Sequence, residues 1–158
     1  MSFSIDSATG LTVSPPVAVA QGGTGSTVGA AYGRVVRTAG NLTTTSTSLV
    51  DVTGATVTIT TGANPVAYGV AQGSYHSATG VITGFNVAID GTLQHGSGGI
   101  RNNSEATGSP VSTSFSGQSA ALSAGSHTIK EQWYVNSGTG TIEASADYNH
   151  LFYAQEIR

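Results

Sequence analysis

From Tyr32 onward, apolar and polar residues alternate in short runs separated by turn-forming residues. Ala55-Thr56-Val57-Thr58-Ile59-Thr60 places Ala55, Val57 and Ile59 on one face and threonines on the other. Val81, Thr83, Phe85, Val87 and Ile89 share a face over nine residues, the strongest period-two signal in the chain. Asp90-Gly91 then marks a hairpin turn, because both residue types tolerate the left-handed backbone such a turn needs. Further strands are expected at 34–37, 48–52, 65–75, 111–116, 126–135, 141–145 and 151–157. Pro65 stands at a strand start, where its missing N–H is tolerated. Residues 95–110, rich in Gly, Ser and Asn, read as a long loop. No segment carries a helical period. Nine or ten short strands with regular turn signals predict an all-β chain, an antiparallel β-sandwich or jelly roll.

The first 31 residues differ. Asp6 is their single charge, Pro15-Pro16 favours an extended course, and Gln21-Gly22-Gly23-Thr24-Gly25-Ser26 is flexible or tightly turned. They read as an extended N-terminal arm and linker (1–31), followed by a β-sandwich knob (32–158).

One strand breaks its own pattern. His127, Ile129, Glu131, Trp133 and Val135 fall on one face, so a carboxylate sits among apolar neighbours. The favoured expectation is a strand near the rim, where Glu131 reaches solvent. The alternative is a buried carboxylate paired with an arginine or histidine, including across a subunit interface.

Composition narrows the class. The 158 residues include 22 Gly, 20 Ser and 22 Thr, with 8 acidic and 5 basic residues and a net charge of −3. With one lysine (Lys130) and no Ala/Glu/Lys/Leu run at a helical period, helical bundles and coiled coils are excluded, and five scattered basic residues make no stripe for nucleic acid. No apolar run is long enough for a membrane span, and MSFSIDSATG has no signal-peptide pattern. Leu, Ile, Val and Phe total only 33 and there is no cysteine. Neither a large core nor a disulfide is on offer, and oligomerisation is the common remaining source of buried area. A homo-oligomer is expected on this ground alone.

Candidate chemistry is sparse. His76, His95, His127 and His150 show no ligand spacing, the carboxylates are scattered, and no Gly-x-Ser-x-Gly elbow exists. Gly96-Ser97-Gly98-Gly99 lacks the lysine and helix of a phosphate loop. No catalytic residue, metal or cofactor is expected, and the chain does not read as an enzyme. Trp133-Tyr134, Tyr148, Phe152 and Tyr153 suit a carbohydrate platform or, lying within strands, core and interface anchors. Within the loop at 95–110, His95, Arg101, Asn102 and Asn103 are the candidate ligand-facing residues.

Two stretches carry a resemblance. Pro16-Val17-Ala18-Val19-Ala20-Gln21-Gly22-Gly23-Thr24-Gly25-Ser26-Thr27 resembles the P-x-A-x-G-G-T-G-x-T segment of tail fibres and related appendages of tailed bacteriophages, with Gln21 where Asn is usual. Val87-Ala88-Ile89-Asp90-Gly91-Thr92 with Leu122–Trp133 is similar to the x-V-D-G-T … L-x-x-G-x-H-T-h-x-h-x-W pattern of trimeric jelly-roll knobs in phage structural proteins, whose topology is like complement C1q and tumour necrosis factor heads. Glu131 replaces an apolar residue of that pattern.

The resemblance implies a homotrimeric virion protein, assembled in the host cytoplasm and exposed on the particle as a short fibre or knob. The arm, through Pro15, Pro16 and Gln21–Gly25, would bind other virion proteins. Phe85, Val87, Ile89, Ile129, Glu131, Trp133, Phe152 and Tyr153 would form the core and trimer interface. Adhesion to a host-surface glycan is a plausible activity. The rivals are a capsid decoration protein and a carbohydrate-binding lectin-type module.

Overall fold

The computed structural model describes residues 2–6, 10–14, 30–103 and 108–158. Near the N-terminus, β1 (Ser2–Asp6) and β2 (Gly10–Ser14) pair antiparallel, with Phe3 opposite Val13 and Ile5 opposite Leu11. These two strands lie within the segment expected as the N-terminal arm. Residues 15–29 lie outside the described residues, and with them every linker position singled out above.

From residue 32 the chain alternates between two antiparallel sheets. The first contains β3 (Tyr32–Arg37), β4 (Leu42–Thr44), β6 (Val66–His76), β10 (Val111–Gln118), β12 (Gly140–Glu143) and β13 (His150–Glu156). The second contains β5 (Val50–Gly62), β7 (Ile82–Ile89), β8 (Thr92–Leu93), β9 (Ile100–Asn103) and β11 (Ala124–Val135). β12 and β13 share one edge of β6, pairing its two ends in turn, and β8 and β9 share one edge of β7 in the same way. Each sheet is thus four strands across, in the orders β10-β6-β12/β13-β4/β3 and β5-β11-β7-β8/β9. Two curled four-strand sheets joined by crossings between them make a jelly-roll-like sandwich.

The sequence pattern explains most elements. The turn at Asp90-Gly91 has φ of 49° and 83°, and it joins Ile89 to its partner Thr92. Two positive φ values in succession are what a tight hairpin of this hand requires. Residues 48–52 and 55–60, expected as two strands, are parts of the single strand β5. Val52 and Ala55 are both buried although three apart. A bulge reconciles them: β11 pairs Lys130 with Thr56 but Gln132 with Asp51, and Gly54 takes φ +80°. The extra residues reset which side chains face inward.

Between the sheets lies one apolar cluster. It includes Val52, Ala55, Val57 and Ile59 of β5, Phe85, Val87 and Ile89 of β7, Ile129 and Trp133 of β11, and Val66, Tyr68, Val70, Phe152 and Ala154 from the first sheet. Phe85 stacks between Phe115 and Trp133, with ring centroids 6.3 and 6.4 Å away.

Glycine has a use beyond turns. A Cβ at Gly84 would lie 2.0 Å from Tyr134 Cε1, at Gly69 2.5 Å from Tyr153 Cε1, and at Gly117 2.4 Å from the Tyr68 hydroxyl. These strand glycines are seats on which tyrosine rings from neighbouring strands lie. Part of the glycine excess therefore belongs to the sheets themselves.

Candidate functional site

The carboxylate that broke the strand pattern is inside. Glu131 is 0% exposed and its Oε2 lies 2.7 Å from His150 Nε2, itself 1% exposed. This corrects the rim expectation: β11 is the strand between β5 and β7, so its inward face has no route to solvent. The pair joins the two sheets within one chain. Burial pushes the Glu131 carboxyl above its ordinary range, against the opposing influence of His150. Gln72 adjoins the carboxylate, yet neither atom of its amide makes a hydrogen bond.

Beyond Gln72 the interior stays polar. Ser74 Oγ and Thr113 Oγ1 are 3.0 Å apart, and Asn102 Nδ2 donates to both at 2.7 and 2.9 Å. His76 Nε2 lies 2.8 Å from Thr83 Oγ1, and burial lowers the pKa of this imidazole. Hydroxyls, amides and imidazoles take space that composition denied to large apolar side chains.

The segment expected as a long loop, 95–110, contains the strand β9, and its ligand-facing candidates divide. His95 turns inward: its ring meets Tyr68 and Phe115 edge-on at 5.7 and 5.6 Å, and burial lowers its pKa. Asn102 belongs to the interior network, while Arg101 and Asn103 are exposed. Asn86 holds the turn between β8 and β9, its Nδ2 donating to the His95 and Gly96 carbonyls. The four are therefore not brought together on one surface.

The proposed core and interface set also divides. Phe85, Val87, Ile89, Ile129, Glu131, Trp133 and Phe152 are buried within the single chain, and Tyr153 lies on the outer face of the first sheet over Gly69. That face carries Tyr32 and Val36, 54% and 43% exposed, near Leu151 and Tyr153 on a bed of Ala67, Gly69 and Ala71. A shallow cleft of about 330 Å³ runs between Tyr153 and Ser114.

Two further polar clusters were not anticipated. His127 Nδ1 donates to Asp90 Oδ2 at 2.6 Å and its Nε2 to the Ser123 carbonyl at 2.9 Å. With both ring nitrogens donating, the imidazolium is favoured: the Asp90 bond, then the Ser123 bond, raises the His127 pKa. Glu156, 1% exposed, accepts from Asn64 Nδ2, Gly62 N–H, Arg158 Nε and Ala31 N–H. Those donors, Asn64 foremost, hold its carboxyl down to about 2. Glu156 thereby ties the end of β13 to the start of the knob.

Among the described residues, no group of three or more His, Cys, Asp or Glu is placed to hold a metal ion. No protein-family model matches the chain, and comparison with curated proteins finds no match.

Proposed function

We propose that this chain is a structural protein of a tailed-bacteriophage particle: a homotrimeric, surface-exposed knob attached by its N-terminal arm. The observation that carries the reading is the outer face of the first sheet. Its outward residues on β3, β13 and β6 include Tyr32, Val36, Leu151 and Tyr153 with small residues between them, and Arg34 is the charged residue among them. An exposed apolar sheet face of this kind marks an interaction surface. A second and third copy are the natural occupants for a chain with so little charge and so few large apolar residues. The jelly-roll-like connectivity and the Gly-Gly-Thr-Gly linker resemblance support the same reading. The role is structural and non-catalytic, with adhesion to the host surface as the accompanying activity.

Light scattering on the purified full chain tests the assembly. A particle of three times the 15.8 kDa chain mass is expected. Val36→Glu with Tyr153→Glu should dissociate it while β-sheet circular dichroism persists. A monodisperse wild-type monomer would overturn the trimer. Attachment is tested separately, by removing residues 1–29 and asking whether the trimeric knob still co-purifies with phage particles.

A further inference from the structure

A single imidazole ties two separate segments together at one end of the sandwich. His127, buried on the inward face of β11, reaches Asp90 in the β7–β8 turn through Nδ1 and Ser123 in the β10–β11 loop through Nε2. Its partners are an ionised carboxylate and a backbone carbonyl, and both can only accept. Both ring nitrogens must therefore carry protons for both bonds to stand. Asp90 has a second tie, its Oδ1 accepting the Thr128 N–H at 2.8 Å, which fixes the carboxylate. The Ser123 carbonyl accepts from one other side chain, Thr61 Oγ1 at 3.0 Å. Residues 119–123 belong to no strand and form a strap. The strap is held by the Ser119 and Leu122 N–H groups, which donate to the Val66 and Asn64 carbonyls, and Leu122 packs against the core. Between the strap and the turn lies a groove of about 480 Å³, walled by Ile89, Thr92 and Leu93 on one side, Ala120 and Leu122 on the other, with His127 between them.

We propose that His127 is a pH-operated latch on the 119–123 strap: doubly protonated, it fastens the strap to the Asp90 turn, and on losing one proton it releases Ser123 and loosens the strap beside the groove. The neutral ring keeps one N–H. Asp90, an ionised acceptor, retains it at Nδ1, because a hydrogen bond to a charged group is the stronger of the two. Nε2 is then left with a lone pair aimed at the Ser123 carbonyl oxygen, and two acceptors face one another. The Thr61 hydroxyl alone is left to hold that carbonyl from a side chain. Among the described residues lining the groove, Asp90 is the charged partner of His127 and the rest are uncharged. On β5, Ile59 stands opposite His127 and Thr61 follows, both uncharged. Lys130, further along β11, pairs with Asp51, and at the end of β13 Glu156 pairs with Arg158. The Asp90 bond raises the His127 pKa above its ordinary 6.5, so the latch is fastened below 6.5 and opens as pH climbs through the folded value. The inference goes beyond the particle reading and does not rest on it.

Hydrogen exchange of the Leu122 amide in the full chain, followed across a pH series, tests the latch. Exchange is expressed as a protection factor, which removes the intrinsic base catalysis of the reaction. Protection is expected to fall about tenfold or more as pH rises, with a midpoint matching that of the His127 ring resonances and with β-sheet circular dichroism unchanged. His127→Gln should abolish the step. Asp90→Asn keeps a side chain of the same shape but removes the charge, so it should move the ring titration and the step together to lower pH. Thr61→Val, which removes the other donor to Ser123, should enlarge the step. If His127→Gln fails to fold, Asp90→Asn carries the test alone. A Leu122 protection factor independent of pH would overturn the proposal, as would a step that survives His127→Gln or stays in place in Asp90→Asn. Neither result of the light-scattering measurement bears on this one, and the reverse also holds.

Discussion

The two ends of the sandwich interior solve the same shortage differently. One end is filled by Val57, Ile59, Val66, Tyr68, Ile89 and Ile129, and it is held by burial of apolar area. The other, entered along β6 at Gln72, holds Ser74, His76, Thr83, Thr113, Asn102 and the Glu131–His150 pair. Apolar packing tolerates small volume changes at graded cost. A buried polar network has no such tolerance, since removing one partner leaves the other desolvated and unpaired. The contrast teaches that a chain poor in large side chains can fill part of its interior with polar groups that partner one another, even with the Gln72 amide left unpaired among them.

The largest effect should come from the pair. Glu131→Ala or His150→Ala is expected to destabilise by about 3–5 kcal/mol, a large share of the roughly 5–15 kcal/mol typical of a domain. Urea denaturation measures it. Glu131→Gln should retain more of the stability than Glu131→Ala, because an amide of the same shape can still hydrogen-bond His150. In the apolar end, Ile129→Val should cost only about 0.5–1.5 kcal/mol. If the two ends respond alike, the distinction between them is broken.

Much of this contrast was invisible in the sequence for a physical reason. Alternation reports which residues share a face, and it placed Val57, Ile59, Phe85, Val87 and Ile129 in the core. It says nothing of a strand's place within its sheet. Glu131 was on the inward face by periodicity, but only the pairing of β11 with both β5 and β7 removes its access to water. The bulge in β5 was hidden because it joins two stretches of opposite phase. The polar partners of Asn102 come from β6 and β10, 28 and 11 residues away. His95 and Asn102 looked like loop residues because nothing local signals that a Gly/Ser-rich stretch will pair along β7. The tyrosine–glycine seats were missed for the same reason: strand glycine resembles turn glycine until its neighbour across the sheet is known.

Those seats give the next effect in size. Gly84→Ala and Gly69→Ala should each cost about 1–3 kcal/mol by overpacking, and Tyr134→Leu in the Gly84→Ala background should recover part of the loss. A recovery measured by denaturation would tie each glycine to its ring. At Gly80 an added Cβ would meet nothing within 4 Å, but φ is +82°. Alanine there should act by backbone strain alone and show no such rescue.

Acid sharpens the comparison. Burial lowers the pKa of His76 and His95, so unfolding takes up protons that the folded chain refuses. Stability should therefore fall as pH drops below the ordinary histidine value of 6.5. Glu156 adds a second loss between 4.5 and about 2, where its stabilising hydrogen bonds require the ionised form. His127 has the opposite sign. Its raised pKa makes its contribution complete below 6.5 and lost as pH climbs through the folded value. Histidine ring resonances followed by NMR should show His127 titrating above 6.5, with His76 and His95 below it. A His76 midpoint at or above 6.5 would remove the polar end's claim to acid sensitivity.

The smallest effect belongs outside both ends, at Asp51 and Lys130. Their 2.6 Å ion pair has side chains 43% and 41% exposed. Water screens such a pair, and holding two side chains in one geometry costs entropy, so Lys130→Ala should change stability by only about 0–1 kcal/mol. The change should shrink further in about 1 M salt, where screening acts within about 3 Å. Glu131→Ala, whose partner is shielded from ions, should lose as much at high salt as at low. Denaturation of both variants across a salt series compares the interior pair with the surface pair directly. A Lys130→Ala loss equal to that of Glu131→Ala would mean that the second sheet's outer face, rather than the interior, holds the sandwich together.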